Sequence, residues 1–397
     1  MTRRKRRGDN EGTIYKRPDG RWAGQISLGY DVNGKRIRRS FVRETRREVA
    51  EELAKVLQEV QAGAYIEPTT CTLGEWLDKW LAEYKKPQLR PSTYESYKGL
   101  IERHITPALG GVPLAKLQAH TLQSFYNDKL TSGRFDGEGG LSTRTVRYFH
   151  VIIRQALEQA VKEGILARNV ADATSPPVVR NKPMRPLTED ELLQFFQAAQ
   201  DDRLFPAFLL AATTGLRRGE LLGLCWDSVG LENAIIIVQR QLLVLDGKPV
   251  LEDTTKSERG RRSVTLTDDA VSELKAHRKR QAEERLALGE AYQNKDLVFC
   301  QEDGTFIDPR NFTKRFQRIL KEAGLPKVRL HDLRHTHASL LLARDVHPKI
   351  VQERLGHSSI SMTLDLYSHL APGLQEAAAA TLNGLLRKLP KEAKGNN

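Results

Sequence analysis

The sequence predicts a multidomain, mainly α-helical fold that carries small β-sheets. Its 397 residues exceed what one ordinary hydrophobic core accommodates, and domains of roughly 150 residues would give two or three folded units. Alternating strand patterns are confined to the N-terminal region and one later stretch, whereas helix-start signals followed by apolar stripes fill most of the rest. The apolar fraction of 39% and the charged fraction of 28% are ordinary for a folded chain.

The first predicted unit, residues 1–63, is a three-stranded sheet backed by one helix. The expected strands lie at residues 13–15, 22–28 and 36–41. Turns at 18–20 and 33–34 separate them, because Gly, Asn and Asp accept the positive φ that tight hairpins need. The helix begins at a capping box formed by Thr45 and Glu48. Its expected apolar stripe consists of Ala50, Leu53, Leu57 and Val60.

The second predicted unit, residues 70–172, is helical and follows a linker around Pro68. Four or five helices fit into it, and a glycine-rich loop is expected at 133–140. Capping boxes are predicted at Thr72 with Glu75 and at Ser92 with Glu95. A longer helix over about 142–163 places one set of apolar residues on a single face: Val146, Phe149, Ile153, Leu157 and Ala160.

The third predicted unit, residues 185–390, follows an extended strap at 173–186 that holds four prolines and three basic residues. Its first helix opens at a capping box of Thr188 and Glu191. Residues 234–245 are rich in Ile and Val, and 263–266 alternate, so we expect a small sheet with a hairpin in this otherwise helical unit. A terminal tail helix is predicted from an apolar stripe: Ala378, Leu382, Leu385 and Leu389.

The charge distribution points to a polyanionic partner. The net charge is +13, and residues 1–47 hold fifteen Lys or Arg against five Asp or Glu. Such a cluster gains affinity for phosphates by counterion release, but a solvated tail or a patch for anionic membranes would carry the same charge. Charge by itself leaves these alternatives open.

The compartment is predicted to be cytoplasmic. No apolar run is long enough for a membrane span or shaped like a secretory signal. Three cysteines far apart in sequence, Cys71, Cys225 and Cys300, form neither a CxxC pair nor an even disulfide framework, so we expect reduced thiols.

Basic residues on the predicted elements are the candidate contacts to nucleic acid. A basic face of the N-terminal sheet has the dimensions to enter a DNA groove, and cations on the helical unit and the strap suit phosphate contacts. The candidates are Lys16, Arg21, Lys35, Arg36, Arg38, Arg39, Arg90, Arg144, Arg180 and Lys182.

Four short segments in the last unit carry residues suited to chemistry. They are residues 213–220 (TTGLRRGE), 255–257 (TKS), 330–336 (LHDLRHT) and 355–357 (LGH), and Tyr367 follows ten residues after the last. Any one of these side chains alone would have an ordinary structural role. Together and in this order they resemble the tyrosine recombinase (phage integrase) family, and the resemblance covers the whole chain.

The resemblance implies a site and a role for each residue. Arg217 and Arg334 would be the two arginines, His331 and His357 the two histidines, Lys256 the β-hairpin lysine, and Tyr367 the nucleophile. It further implies an arm-type DNA-binding domain at 1–63, a helical core-binding (SAM-like) domain at 70–172 and a catalytic domain at 185–390. The expected protein is a site-specific DNA recombinase that integrates and excises a mobile element as a homotetramer on double-stranded attachment sites, with DNA-bending and excision-directionality factors as further partners.

The chemistry explains these residue types. Attack on a phosphodiester adds negative charge to its non-bridging oxygens, and two guanidiniums neutralise that charge with bidentate hydrogen bonds. The phenol of Tyr367, with an ordinary pKa near 10, needs a base, for which His331 is the candidate. The family assigns the general acid to Lys256, and His357 would donate a hydrogen bond to a phosphate oxygen. A 3′-phosphotyrosine intermediate conserves the bond energy, so no metal or nucleotide cofactor is required.

Two other functions stay open. A type IB topoisomerase shares the strand-cleavage chemistry, although the separate N-terminal domain speaks against it. A catalytically silent DNA-binding regulator could retain the fold, although the complete residue set makes that assignment weak. The sequence lacks a GxxxxGK[ST] loop and an HExxH motif, which would have indicated other phosphoryl-transfer or metal chemistry.

Overall fold

The computed structural model of the chain describes residues 12–30, 36–61, 70–180, 184–253, 262–357, 359–361 and 364. It divides into two compact units, Met1–Asn181 and Lys182–Asn397, so the division falls within the predicted strap. The predicted fold class is confirmed, since helices dominate and the strands form small antiparallel sheets. The finer division into three domains stays a prediction. Among the described residues, none of the helices has the length and apolar character needed to cross a membrane.

The N-terminal sheet forms as predicted. Strands β1 (Thr13–Lys16), β2 (Trp22–Tyr30) and β3 (Arg36–Arg43) pair antiparallel in that order, and helix α1 (Arg46–Gln61) follows. The capping box is present, because Thr45 Oγ1 accepts from the Glu48 amide and the Glu48 carboxylate accepts from the Thr45 amide. Of the predicted stripe, Leu53 is buried, and Leu57 and Val60 are partly buried and pack against the core. The buried core is Ile26, Phe41, Val49, Leu53 and Val56, whereas Ala50 lies at its edge.

The basic face of this sheet is narrower than predicted. Because side chains alternate along a strand, Arg36 and Arg38 share one face and Arg39 shares the opposite face with buried Phe41. Arg39 is half-buried on that face, and its role as a DNA contact stays a prediction. Its cross-strand partner is Ile26, which is fully buried.

The helical region of the first unit contains four longer helices and one short helix. They are α2 (Leu73–Trp80), α3 (Pro91–Leu100), α4 (Thr106–Leu109), α5 (Ala119–Ser132) and α6 (Thr143–Lys162), with π-helical turns at Leu81–Lys85 and Ile101–Ile105. All five residues of the predicted α6 stripe are fully buried. The first capping box forms between Thr72 and Glu75, and the Trp76 indole donates to the Ala156 carbonyl at 2.8 Å, which joins α2 to α6.

The second predicted capping box in this region was wrong. Helix α3 begins at Pro91 with Arg90 as its N-cap, so Ser92 lies inside the first turn. Proline explains the shift, because its fixed φ suits the first helical position and its missing N–H costs nothing there.

The second unit is helical around one large core. Its helices are α7 (Glu189–Ala199), α8 (Phe205–Thr214), α9 (Arg218–Leu222), α10 (Asp268–Leu288), α11 (Pro309–Glu322), α12 (Asp332–Ala343) and α13 (Pro348–Leu355). The predicted Thr188–Glu191 capping box opens α7. Almost every residue of α8 is buried, and Phe208 stacks on Phe312 of α11 with ring centroids 4.9 Å apart. Helix α8 is thus the central element, and its C-terminal end reaches the candidate site.

The strands of this unit form two sheets. Strands β4 (Val229–Gly230), β5 (Ile235–Val238) and β8 (Arg262–Thr265) make one sheet in the order β4-β5-β8, and β6 (Arg240–Leu245) pairs with β7 (Lys248–Asp253). The region 234–245, predicted to contribute to one small sheet, is therefore divided between two, with β5 in the first and β6 in the second. Asp246 and Gly247 both have positive φ, so they form a tight turn that returns β6 onto β7.

Several predictions fall outside the described residues. These are Lys35, Lys182, Lys256, Tyr367 and the terminal tail helix.

Candidate active site

The cationic cluster is centred on Arg334, which is only 2% exposed. Helix α12 carries it into the interior, where Nη1 donates to the Gly215 carbonyl at 2.7 Å and Nη2 donates to the Leu355 carbonyl at 2.6 Å. Burial, and then the positive charge of Arg217, lower the pKa of Arg334 to about 9, so the group stays charged at neutral pH. Its hydrogen-bond partners among the described residues are neutral carbonyls, and its charge would be stabilised by an incoming anion.

Arg217 lies at the start of α9 and is half-exposed. Its Nη1 donates to Glu220 Oε1 at 2.7 Å, its backbone N–H donates to Glu220 Oε2 at 2.9 Å, and its Nη2 reaches the Gly356 carbonyl at 3.2 Å. The carboxylate of Glu220 is buried and also accepts two hydrogen bonds from Arg262. Burial alone would raise the pKa of Glu220, but the hydrogen bonds and charge of Arg262, with the charge of Arg217, lower it to about 2.

Two glycines supply the backbone that holds these arginines. Gly215 ends α8 at φ +67° and Gly356 ends α13 at φ +65°, conformations in which a side chain is strained. A Cβ on Gly215 would lie 2.4 Å from Leu355 Cδ2, so a larger residue at this position requires the buried Leu355 side chain to shift. The carbonyls at these two helix ends accept from Arg217 and Arg334.

Three imidazoles surround the arginines. The rings of His331 and His335 are 5.1 Å apart and nearly perpendicular. Desolvation, and then the charge of Arg334, lower the pKa of His331, although this residue keeps solvent exposure. Burial lowers the pKa of His335 to about 4, with His331 as the next cause, and burial followed by Arg334 and Arg217 lowers that of His357 to about 4. All three rings are therefore neutral near pH 7, and a neutral His331 can accept a proton.

The structure brings together four of the six predicted catalytic residues: Arg217, His331, Arg334 and His357. Lys256 belongs to residues 254–261, between β7 and β8, and Tyr367 lies beyond residue 364, so neither position is described. The segment around Arg334 behaves as expected in two further respects. Asp332 turns away and binds Arg329, and Leu333 joins the hydrophobic core.

The predicted nucleic-acid contacts that the structure describes are mostly at the surface. Arg21 donates to Asp19, and Arg36 Nε donates to Ser27 Oγ at 2.7 Å on the outer face of the sheet. The other exposed candidates are Lys16, Arg38, Arg90, Arg144 and Arg180. Arg90 stands at the N-terminus of α3, and Arg144 in the first turn of α6.

Sequence reasoning missed Arg262 and Arg354. Arg262 begins β8 with 9% of its side chain exposed, and Arg354 donates to the Thr213 and Thr265 carbonyls, both at 2.9 Å. One weak indication existed for Arg262. It directly precedes the alternating residues 263–266, which places it at the start of a strand beside the core. Arg354 carried none, since an arginine in the last turn of a helix is ordinarily a surface residue.

A buried guanidinium, a second arginine fixed by a carboxylate and neutral imidazoles around them form the arrangement expected of an enzyme that stabilises a phosphate under attack. Comparison with known protein families supports this interpretation of the site. Residues 185–373 match the phage integrase family, and residues 72–130 match the phage integrase N-terminal SAM-like domain.

Relatives match over nearly the whole chain. A tyrosine recombinase XerC-like protein of Caldanaerobacter subterraneus is 32% identical over 378 residues, which cover 91% of this chain and 95% of the relative. The ICEBs1 integrase of Bacillus subtilis is 28% identical, covering 94% of this chain and all of the relative. The chain therefore belongs to the phage integrase family of tyrosine recombinases. It is a tyrosine site-specific recombinase of the kind that integrates and excises mobile elements.

Solved structures share the fold. The Tn1549 transposon integrase in complex with transposon right end DNA has a TM-score of 0.64 at 22% identity, over 79% of this chain and 99% of that one. A lambda integrase tetramer bound to a Holliday junction has a TM-score of 0.54 at 21% identity, over 91% and 96%.

Proposed function

We propose that this recombinase cleaves and rejoins double-stranded attachment sites through a covalent bond between Tyr367 and a DNA 3′-phosphate. The observation that carries the proposal is the buried guanidinium of Arg334 beside Arg217, with neutral carbonyls as its described partners. A phosphodiester placed there would receive charge-assisted hydrogen bonds from both groups, and these strengthen as negative charge develops during attack.

The reaction then has two proton transfers. The Tyr367 oxygen attacks phosphorus, its proton passes to His331, and the bond from phosphorus to the 5′ oxygen breaks. The departing 5′ oxygen takes a proton from Lys256, which leaves a 3′-phosphotyrosine and a free 5′ hydroxyl. Attack by a 5′ hydroxyl of another strand reverses these steps and restores the phosphodiester. His357, neutral near pH 7, donates one hydrogen bond to a non-bridging oxygen.

The proposed assembly is a homotetramer on paired DNA sites. The solved lambda integrase tetramer on a Holliday junction supports it, since that structure shares the fold over 91% of this chain. The outer face of the N-terminal sheet, with Arg36 and Arg38, would bind distal DNA sites, and the helical region with Arg90 and Arg144 would bind the core site. DNA-bending and excision-directionality factors remain proposed partners.

Trapping on nicked attachment-site DNA tests the proposal. A nick beside the cleavage point lets the short leaving strand diffuse away, so wild-type protein should accumulate as a denaturant-resistant adduct. Tyr367→Phe should bind the same DNA without forming the adduct, whereas Tyr148→Phe, a half-exposed tyrosine in the first unit, should form it normally. Wild-type binding without any adduct would instead indicate a silent regulator, and equal cleavage of unrelated duplexes a topoisomerase.

A further inference from the structure

Arg262 connects two parts of the candidate site. It begins β8, and its guanidinium donates from Nη1 to Glu220 Oε1 at 3.1 Å and from Nη2 to Glu220 Oε2 at 2.7 Å. Its Nε donates to the Arg354 carbonyl at 3.0 Å. Both partners of the ion pair are buried, with 9% of the Arg262 side chain and 6% of the Glu220 side chain exposed. A bidentate pair removed from water in this way has one well-defined geometry.

The first connection leads to Arg217. Glu220 accepts from Arg262 and from Arg217 with the same two carboxylate oxygens. Without Arg262, the buried carboxylate would keep Arg217 as its main cation and would draw that guanidinium away from an incoming phosphate. Leaving one partner of a buried pair uncompensated is also costly in its own right.

The second connection leads to His357. The Arg354 carbonyl, which Arg262 holds, lies three residues before His357 in the helix end that also supplies the Leu355 and Gly356 carbonyls to the two arginines. A Cβ on Gly356 would lie 3.0 Å from Arg262 Cδ, so the arginine stem fills the space beside this turn.

We propose that Arg262 is a positioning residue for strand cleavage, acting through Glu220 on Arg217 and through the Arg354 carbonyl on the turn that carries His357. The inference rests on the proposed function, since it assumes that Arg217 neutralises the scissile phosphate. A displacement of about 1 Å in a catalytic group costs on the order of 100-fold in rate, so a residue that touches no DNA can still have a large effect.

A substrate with a neutral phosphate distinguishes a misplaced Arg217 from a general loss of folding. Replacing one non-bridging oxygen of the scissile phosphate by a methyl group gives a methylphosphonate, which has no negative charge to neutralise. A variant that is slow because Arg217 is misplaced should regain much of its rate on that substrate. A variant that is slow because the second unit is distorted should be slowed by the same factor, relative to wild type, on both substrates.

The experiment uses the full-length chain and a nicked duplex of the core site, as footprinted with wild-type protein on the element's ends. Arg262→Gln should form the adduct roughly 10- to 100-fold more slowly than wild type, and Arg262→Lys should be intermediate because it keeps the charge but not the fork. DNA binding should change by less than about twofold, and on the methylphosphonate the rates should come within about fivefold of wild type. Arg203→Gln is the matched control, since Arg203 also forms a bidentate, largely buried pair, with Glu284 of α10, and its described partners lie outside the cationic cluster; it should cleave normally.

Two results would overturn the inference: Arg262→Gln cleaving at the wild-type rate, or the same slowing on both substrates. Arg217→Ala separates this failure from that of the proposed function. If Arg217→Ala is inactive while Arg262→Gln is normal, only the positioning role is wrong; if Arg217→Ala cleaves normally, the proposed site itself is wrong. Should Arg262→Gln fail to fold, the comparison of the two substrates with Arg262→Lys decides in the same way.

Discussion

At the scale of single residues, the central charge of the site has backbone carbonyls, rather than an opposite charge, as its described hydrogen-bond partners. Arg334 is buried against the Gly215 and Leu355 carbonyls, so its position is fixed while its charge remains available. A carboxylate in place of these carbonyls would neutralise the guanidinium and compete with a phosphate. The two buried carboxylates described nearby have other partners, since Glu220 binds Arg217 and Arg262 and Asp332 binds Arg329.

The Gly215 turn gives a prediction at this scale. Gly215→Ala should destabilise the second unit by roughly 2–4 kcal/mol, because it combines a strained positive φ with a Cβ placed 2.4 Å from Leu355 Cδ2. Gly324→Ala is the matched control, with the same φ of +67° and no atom within 4 Å of its Cβ, and it should cost only about 1 kcal/mol. Denaturant unfolding of both variants measures the difference. Equal losses would show that the close packing under Arg334 is unimportant.

The histidines predict a pH dependence of stability. The pKa values of His335 and His357 are lowered to about 4, and that of His337 to about 3, in each case mainly by burial. Above the ordinary value of about 6.5 the rings are neutral in both folded and unfolded chains, so stability is complete. As the pH falls from there towards 4, unfolded rings bind protons that folded ones refuse, and stability is lost.

Thermal unfolding between pH 7.5 and 4.5 checks this dependence. The Tm of the second unit should fall across that range, and His335→Gln should give a shallower fall because one titrating ring is gone. Glu220, with a pKa lowered from 4.5 to about 2, begins to lose its stabilising contribution only at the lower end of this window. A Tm that is constant from pH 7.5 to 4.5 would contradict the account.

At the scale of elements, helix ends follow local chemistry closely. The boxes at Thr45, Thr72 and Thr188 form, and α6 buries its predicted stripe, because a side chain three residues away and a 3.6-residue period decide these features. The box at Ser92 fails because Pro91 takes the first helical position. The division of residues 234–245 between two sheets depends on which strands pair, and pairing is set by distant contacts that no local pattern contains.

Thr72, whose capping box forms, and Ser92, whose predicted capping box does not, provide a matched test. Thr72→Ala should cost about 1 kcal/mol, because the Glu75 amide loses its acceptor at the start of α2. Ser92→Ala should change stability by less than about 0.5 kcal/mol, since Ser92 is an exposed residue within α3. Urea unfolding of the full chain gives both values. A larger cost at Ser92 than at Thr72 would mean that α3 begins where the sequence pattern had placed it.

The candidate site shows the same limit of sequence reasoning. Motif order identified Arg217, His331, Arg334 and His357, which the fold brings together. Arg262 and Arg354 were missed because their importance comes from contacts across 42 and 141 residues of chain, with Glu220 and Thr213 respectively. Such contacts form only when the chain folds, and no local sequence pattern indicates them.

At the scale of the whole molecule, binding and cleavage should be separable. The N-terminal sheet has its own small core around Ile26 and Phe41, and the cationic cluster lies wholly in the second unit. Deleting residues 1–63 should therefore weaken binding to distal sites of the element while leaving core-site cleavage measurable. Footprinting and adduct formation on the same DNA test this division, and loss of all cleavage would contradict it.

A pair of arginines provides the control for that deletion. Arg38→Ala, on the exposed face of the sheet, should weaken distal-site binding by about 1–3 kcal/mol if the side chain reads a base edge. Arg47→Ala removes the same charge from α1, where Arg47 is 88% exposed and pairs with Glu51, and should have a much smaller effect. Equal effects would show that overall charge, rather than the sheet face, binds the DNA.

Strand cleavage is expected to bond one DNA phosphate to Tyr367 among these arginines and histidines. Mass spectrometry of the protease-digested adduct from nicked attachment-site DNA tests it most directly. We expect a single modified peptide in which the oxygen of Tyr367 carries a nucleotide through its 3′-phosphate, while the released strand begins with a free 5′ hydroxyl. A nucleotide on any other residue, or a linkage through a 5′-phosphate, would contradict it.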